Sequence, residues 1–305
     1  MTSYRPATPP PEGYWGPITS SLFWCEEKYR WSRYVAEPAN TLSNLFFVVV
    51  ALYGVARTRG QRLPLRFVLA HFGVAFVGVG STLFHATLKR EMQLLDELPM
   101  IYTSALLTYA VLETSPGYRS RTFPILLALF LLALVSSITW TYLHNQDPVF
   151  HQVAFATLLL SSTFREWYLL HHPSSPLSSS SSSSSSSPLI NQRKREITSL
   201  NAKGAIIFAL GFVIWNIDNL FCAQLTAWRH AIGYPAAWAL QGHAWWHLFT
   251  GYGSYCLNVA STQLVVSVKE HPENVRLVPG FLPYVERVRP FDEGAPRQAD
   301  TKKRS

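Results

Sequence analysis

Apolar residues gather in seven long blocks along this chain, at 40–57, 65–87, 95–113, 122–143, 149–170, 203–222 and 237–266. Charged residues are sparse inside them. A helix rises about 1.5 Å per residue, so a block of about 18–25 residues matches the hydrocarbon core of a bilayer. The blocks do not alternate apolar with polar positions, so barrel strands are not predicted. The pattern predicts an all-α integral membrane bundle of seven transmembrane helices, the last long enough to tilt or project from the bilayer. Residues 1–39 are polar and Pro-rich, then aromatic and acidic, and are read as a lumenal N-terminal segment. Residues 40–266 form the membrane domain, interrupted by a flexible poly-Ser cytosolic loop at about 172–202. Residues 267–305 are read as a fraying cytosolic tail.

Composition supports the membrane reading. The 305 residues are 48% hydrophobic and 14% charged, against about 25% charged in soluble domains. Disorder, a coiled coil, a nucleic-acid-binding domain and a secreted disulfide scaffold are excluded as descriptions of the whole chain. The N-terminus lacks the apolar core of a cleaved signal. Three cysteines, Cys25, Cys222 and Cys256, give no disulfide framework; Cys25 and Cys222 can pair only if they share a lumenal face, and no pair is predicted.

The net charge of +8 concentrates in alternate connections. Arg57, Arg59, Arg62 and Arg66 flank the first connection, Arg119 and Arg121 the third, and Arg193, Lys194, Arg195 and Lys203 the fifth, while the tail holds eight more. Basic loops face the cytosol. The N-terminus is therefore predicted to be lumenal and the C-terminus cytosolic.

Ionisable groups inside spans are costly and mark functional sites. The second block ends in Gly-Ser-Thr-Leu-Phe-His, with Ser81 and His85 four apart on one helix face. The third opens with Asp96 and Glu97, and the seventh opens with His243-Ala-Trp-Trp-His247. Two histidines four apart on a helix can present both imidazoles to one zinc; two packed core histidines are the plainer alternative. The predicted topology brings His85, Asp96, His243 and His247 to one lumenal layer. Three histidines with an open position make a catalytic zinc pattern, in which the metal acidifies water and polarises a carbonyl. Asp218 and Asn219 stand near the same end, either orienting an imidazole or in a structural hydrogen bond. His151 is read as interfacial packing, His71 as remote from the layer, and Arg165 and Glu166 as snorkelling at the cytosolic end.

The segments at 13–29, 34–44, 80–102, 215–219 and 243–255 resemble the alkaline ceramidase family, part of a wider group of seven-helix hydrolases that includes the adiponectin receptors. The resemblance implies an intramembrane zinc and hydrolysis of the ceramide amide to a sphingoid base and a fatty acid. It makes His85, His243 and His247 the zinc ligands, and Ser81 and Asp96 their catalytic partners. A membrane lipid, ceramide, is then the partner; neither nucleic acid nor an obligate protein partner is predicted. The family's N-terminal calcium segment is matched by Trp24 (through its carbonyl), Glu26 and Glu37. Phe23 and Lys28 replace an expected Asp and Asn. Calcium wants six to eight oxygens, so a metal-free acidic cluster neutralised by Lys28 is favoured over a calcium site.

The reading is a membrane amidase with Asp96 as general base; Glu97, on a different helix face, is the alternative base. A ligand-responsive receptor with a mainly structural zinc and a transporter with a histidine cluster are the rival classes. Lys302 and Lys303, near the C-terminus, resemble a dilysine retrieval signal and predict residence in the endoplasmic reticulum with cycling through the Golgi.

Overall fold

A computed structural model describes residues 11–118, 122–173, 175, 177 and 187–290. The apolar blocks fall on long helices: α1 (Pro38–Gly60), α2 (Leu65–Thr87), α3 (Arg90–Leu112), α4 (Thr122–Asn145), α5 (Pro148–His171) and α6 (Ser187–Leu220), then α8 (Gly242–Lys269), before which the start of the seventh block forms a short 3-10 turn (Ala236–Leu240). Between the last two lies a helix the hydropathy pattern did not separate, α7 (Cys222–Ile232). Helix starts follow local chemistry. Pro38 and Pro148 open α1 and α5, where a missing N–H costs nothing. Asp147 caps α5 by accepting the Val149 N–H at 2.9 Å. Leu88 ends α2 in the left-handed region, at φ 52°, and the chain turns at once into α3. That tight turn holds the C-terminal end of α2 beside the N-terminal end of α3.

The bundle is ordered around α8. This helix packs against α1, α2 and α6, and every residue from Val259 to Lys269 is buried. Gly204 of α6 and Gly253 of α8 let two backbones touch: a Cβ on Gly253 would stand 2.9 Å from the Gly204 carbonyl oxygen. Small residues of this kind permit close helix contact where no apolar driving force separates protein from lipid. Four helices among the described residues, α1, α2, α4 and most of α6, are long and apolar enough to cross a membrane. Only 11% of the apolar window of α4 is buried, and Leu126, Leu129, Phe130 and Leu132 stand exposed. Such a face needs lipid or a partner to cover it. Of the remaining long helices, α8 is the most deeply buried.

Three expectations are corrected. The flexible loop drawn at 172–202 is shorter, because α6 already begins at Ser187. Ile190, Arg193, Ile197 and Leu200 recur at helical spacing and are all buried; the polar run is one face of an amphipathic extension. The serines from 178 to 186 lie outside the described residues. The tail does not fray immediately after 267. Residues β1 (Val275–Val278) and β2 (Tyr284–Arg287) pair as an antiparallel hairpin, with Val275 and Val285 buried in the main core. Lys302 and Lys303 lie outside the described residues. Finally, Cys25 and Cys222 form a disulfide, while Cys256 is free and buried.

Candidate metal centre

The C-terminal end of α2 and the N-terminal ends of α3 and α8 meet at one end of the bundle. His85, His243 and His247 are 1–4% exposed, and one potential ligand atom from each lies within 4.8 Å of the others. Each ring is held from behind. The His85 Nδ1–H donates to Glu37 Oε2 at 2.5 Å. Ser43 Oγ donates to the Asn40 carbonyl at 3.0 Å and so accepts from His247 Nδ1 at 2.8 Å. The Trp24 indole stacks on His243, with ring centroids 4.1 Å apart and planes 24° from parallel. Fixing one ring nitrogen leaves the other free to ligate.

Two ring nitrogens test whether a metal fits. His85 Nε2 and His243 Nδ1 are buried without a hydrogen-bond partner. Buried polar atoms are almost always paired, and three neutral imidazoles suit zinc. The cluster therefore fits a three-histidine zinc site, with the Nδ1 atoms of His85 and His247 already engaged.

A cavity of about 480 Å³ opens beside the histidines. Ser81, Asp96, His243 and His247 line its polar end, and Leu107, Leu159, Phe208 and Leu257 its apolar reach. Asn44 Nδ2 donates to Ser81 Oγ at 3.0 Å, which leaves the Ser81 hydroxyl proton free to point into the cavity that Asp96 also lines. Pro99 cannot donate to the Leu95 carbonyl one turn earlier. Gly80 sits against that carbonyl so closely that a Cβ there would be 2.1 Å from its oxygen. This contact sets α2 on α3 beside Ser81 and Asp96.

Residues 16–286 match the sequence profile described as Ceramidase. The chain is 39% identical over 244 residues to alkaline ceramidase 3 of Mus musculus, covering 80% of this chain and 83% of the relative. The chain belongs to the alkaline ceramidase family. It is also 33% identical over 273 residues to alkaline ceramidase YPC1 of Saccharomyces cerevisiae, covering 83% and 79%. With the alkaline ceramidase of Arabidopsis thaliana it shares 29% identity over 278 residues, covering 91% and 96%.

The remaining residues singled out in this ceramidase-family chain fall to either side of the centre. Glu97 is buried, accepts from Gln93 Nε2 at 3.0 Å and from the Tyr142 hydroxyl, and is thereby tied to α4. His151 is 3% exposed rather than interfacial; its Nε2 donates to the Glu97 carbonyl at 2.8 Å, joining α5 to α3. Asp218 Oδ1 accepts the Gly242 N–H at 3.0 Å, so it holds the start of α8 and touches no imidazole. Asn219 donates to the Trp215 carbonyl. His71 packs on Tyr255, away from the centre. Glu166 does not snorkel: it is buried, accepting from Ser261 Oγ and, at 3.1 Å, from Asn201 Nδ2. Sequence reasoning assigned no role to Ser43 and Asn44, which lie about two turns beyond Glu37, inside the resembling segment at 34–44.

The calcium assignment is not supported by the geometry. The Trp24 carbonyl accepts Lys28 Nζ at 2.6 Å, and Glu37 Oε1 pairs with the same ammonium. Both Glu26 carboxylate oxygens accept backbone N–H groups, from Ala39 at 2.8 Å and Asn40 at 2.9 Å, at the start of α1. Anions stabilise helix N-termini in this way. Burial, reinforced by the Glu37 charge, pushes the Glu26 carboxyl up to about 7. Burial would also raise Glu37, but Lys28 and His85 hold it down at about 2. The oxygens that calcium would need are engaged, and an ammonium stands among them; the residues do not fit that ion.

Proposed function

We propose that this chain is a seven-span, zinc-dependent membrane amidase that hydrolyses ceramide to a sphingoid base and a free fatty acid. The observation that carries this reading is the three-histidine cluster facing Ser81 and Asp96 across one cavity, in a chain of the ceramidase family. His85, His243 and His247 would hold the metal. When bound, zinc supplies an acidified water and a Lewis acid for the amide carbonyl. Asp96 takes the proton of the attacking water and returns it to the leaving amine nitrogen. Ser81, oriented by Asn44, donates to the amide oxygen as charge develops there. Glu37 and Ser43 keep the His85 and His247 rings in register. The apolar reach between α5 and α6 takes the hydrocarbon chains, which enter from the bilayer.

In the proposed orientation the metal centre lies at the lumenal face and the basic connections in the cytosol. The Cys25–Cys222 disulfide supports this, since such bonds persist in oxidising compartments. Residence in the endoplasmic reticulum and Golgi is proposed from Lys302 and Lys303.

Purified full-length protein, incubated with labelled ceramide, dihydroceramide and phytoceramide, tests the reading. One equivalent of zinc with fatty acid release from at least one substrate is expected. His243→Ala should lose both, because two imidazoles cannot replace three. Wild-type protein with zinc but no amide cleavage would favour the receptor class, and stoichiometric zinc in His243→Ala would reject the ligand set.

A further inference from the structure

Lys28 is 9% exposed. Its ammonium donates to the Trp24 carbonyl at 2.6 Å, to the Glu26 carbonyl at 2.7 Å and to Glu37 Oε1. An ammonium has three donors, and all three are used. A buried charge is tolerated only when its partners are this complete. The other Glu37 oxygen accepts from His85 Nδ1 at 2.5 Å and from Asn40 Nδ2 at 3.1 Å. One carboxylate thus bridges the ammonium and an imidazole of the metal centre. The same segment carries Trp24, whose ring covers His243.

We propose that Lys28 is a tethered cation that takes the place of a bound calcium ion, holding the Trp24–Glu37 segment closed and fixing Glu37 behind His85. Of the two nearby carboxylates, Glu37 pairs with the ammonium and Glu26 turns both oxygens to the start of α1; a divalent ion added beside it would bring three positive charges against at most two negative ones. The Phe23 side chain offers no oxygen to a metal. Lys28 is a positioning residue: it touches no reacting atom and acts through Glu37 on His85. This role rests on His85 being a metal ligand, whereas the exclusion of calcium does not.

Full-length protein in detergent tests this with calcium and zinc as probes. Wild-type protein should bind no calcium in equilibrium dialysis, and added calcium should leave its unfolding temperature unchanged. Lys28→Met keeps the chain volume and removes the charge. It should lower zinc affinity about 10-fold, as loss of support behind a ligand does, and lower kcat with KM unchanged; Lys28→Arg should restore part of both. The double variant Phe23→Asp, Lys28→Asn should bind one calcium and make zinc retention depend on added calcium. Stoichiometric calcium on the wild type, or Lys28→Met with undiminished zinc affinity and kcat, would overturn the proposal. The wild-type dialysis decides the calcium question even if Lys28→Met fails to fold. Neither metal measurement requires that ceramide be the substrate, so its failure and failure of the hydrolase reading are separable.

Discussion

Asp96 and Glu97 are neighbours in sequence with different surroundings. Both line the cavity, but Asp96 follows the close α2–α3 contact at Gly80, beside Ser81, whereas Glu97 is tied to Gln93 and Tyr142. Asp96→Asn should therefore keep zinc and lose turnover by about 10²–10⁴-fold, the usual contribution of a general acid–base group. Glu97→Gln should retain most of kcat and lower the unfolding temperature. A dead Glu97→Gln beside an active Asp96→Asn would exchange their roles. Glu37→Gln should weaken zinc binding by about 10–100-fold, read by competition with a chelator of known affinity. The histidines, Ser81 and Asp96 were legible because polar groups in apolar blocks have few bland explanations. Ser43 and Asn44 were not: a hydroxyl or amide on an apolar helix more often bonds its own backbone. Glu37 drew notice for its charge, but its partner His85 lies 48 positions away, and no spacing rule connects the two.

Among the elements, long helices were legible and short ones were not. The block at 65–87 coincides with α2, since two dozen apolar residues leave few alternatives. The hairpin strands have four residues each, too few for alternation to stand out beside a charged tail. The early start of α6 was hidden because its buried face includes Arg193, which a hydropathy scan counts as polar. The α2–α3 contact yields a sharper test. A Cβ at Gly80 would meet backbone at Leu95, and backbone cannot rotate aside. Gly80→Ala should push Asp96 away from Ser81; a displacement of about 1 Å can cost 10²-fold in rate. Single-turnover kinetics should show that loss, and a fully active Gly80→Ala would mean that the two helices can separate without consequence.

For the molecule as a whole, the centre sits at the end of the bundle where α3 and α8 begin, and the poly-Ser tract falls in sequence between α5 and α6. Removing residues 178–186 should leave zinc content, expression and activity unchanged, since shortening a long loop alters closure entropy little; lost zinc on deletion would contradict the proposed orientation. Replacing Lys302 and Lys303 by serine should shift a tagged protein toward later compartments, seen by microscopy, while protease protection should find the tail cytosolic.

The histidines come from α2 and from α8, which is made almost last, and the segment covering them is pinned to Cys222 by a disulfide. A ribosome that has produced the first two hundred residues has made only one of the three ligands. Metal loading is therefore a late event in biogenesis, completed after the final helix has inserted. On the proposed orientation the finished pocket faces away from the cytosol, so cytosolic zinc chaperones cannot reach it. Activity in a cell would then follow the zinc supply of the secretory pathway. Cells deprived of zinc import into that pathway should accumulate full-length, correctly inserted protein that gains activity when zinc is added to permeabilised membranes.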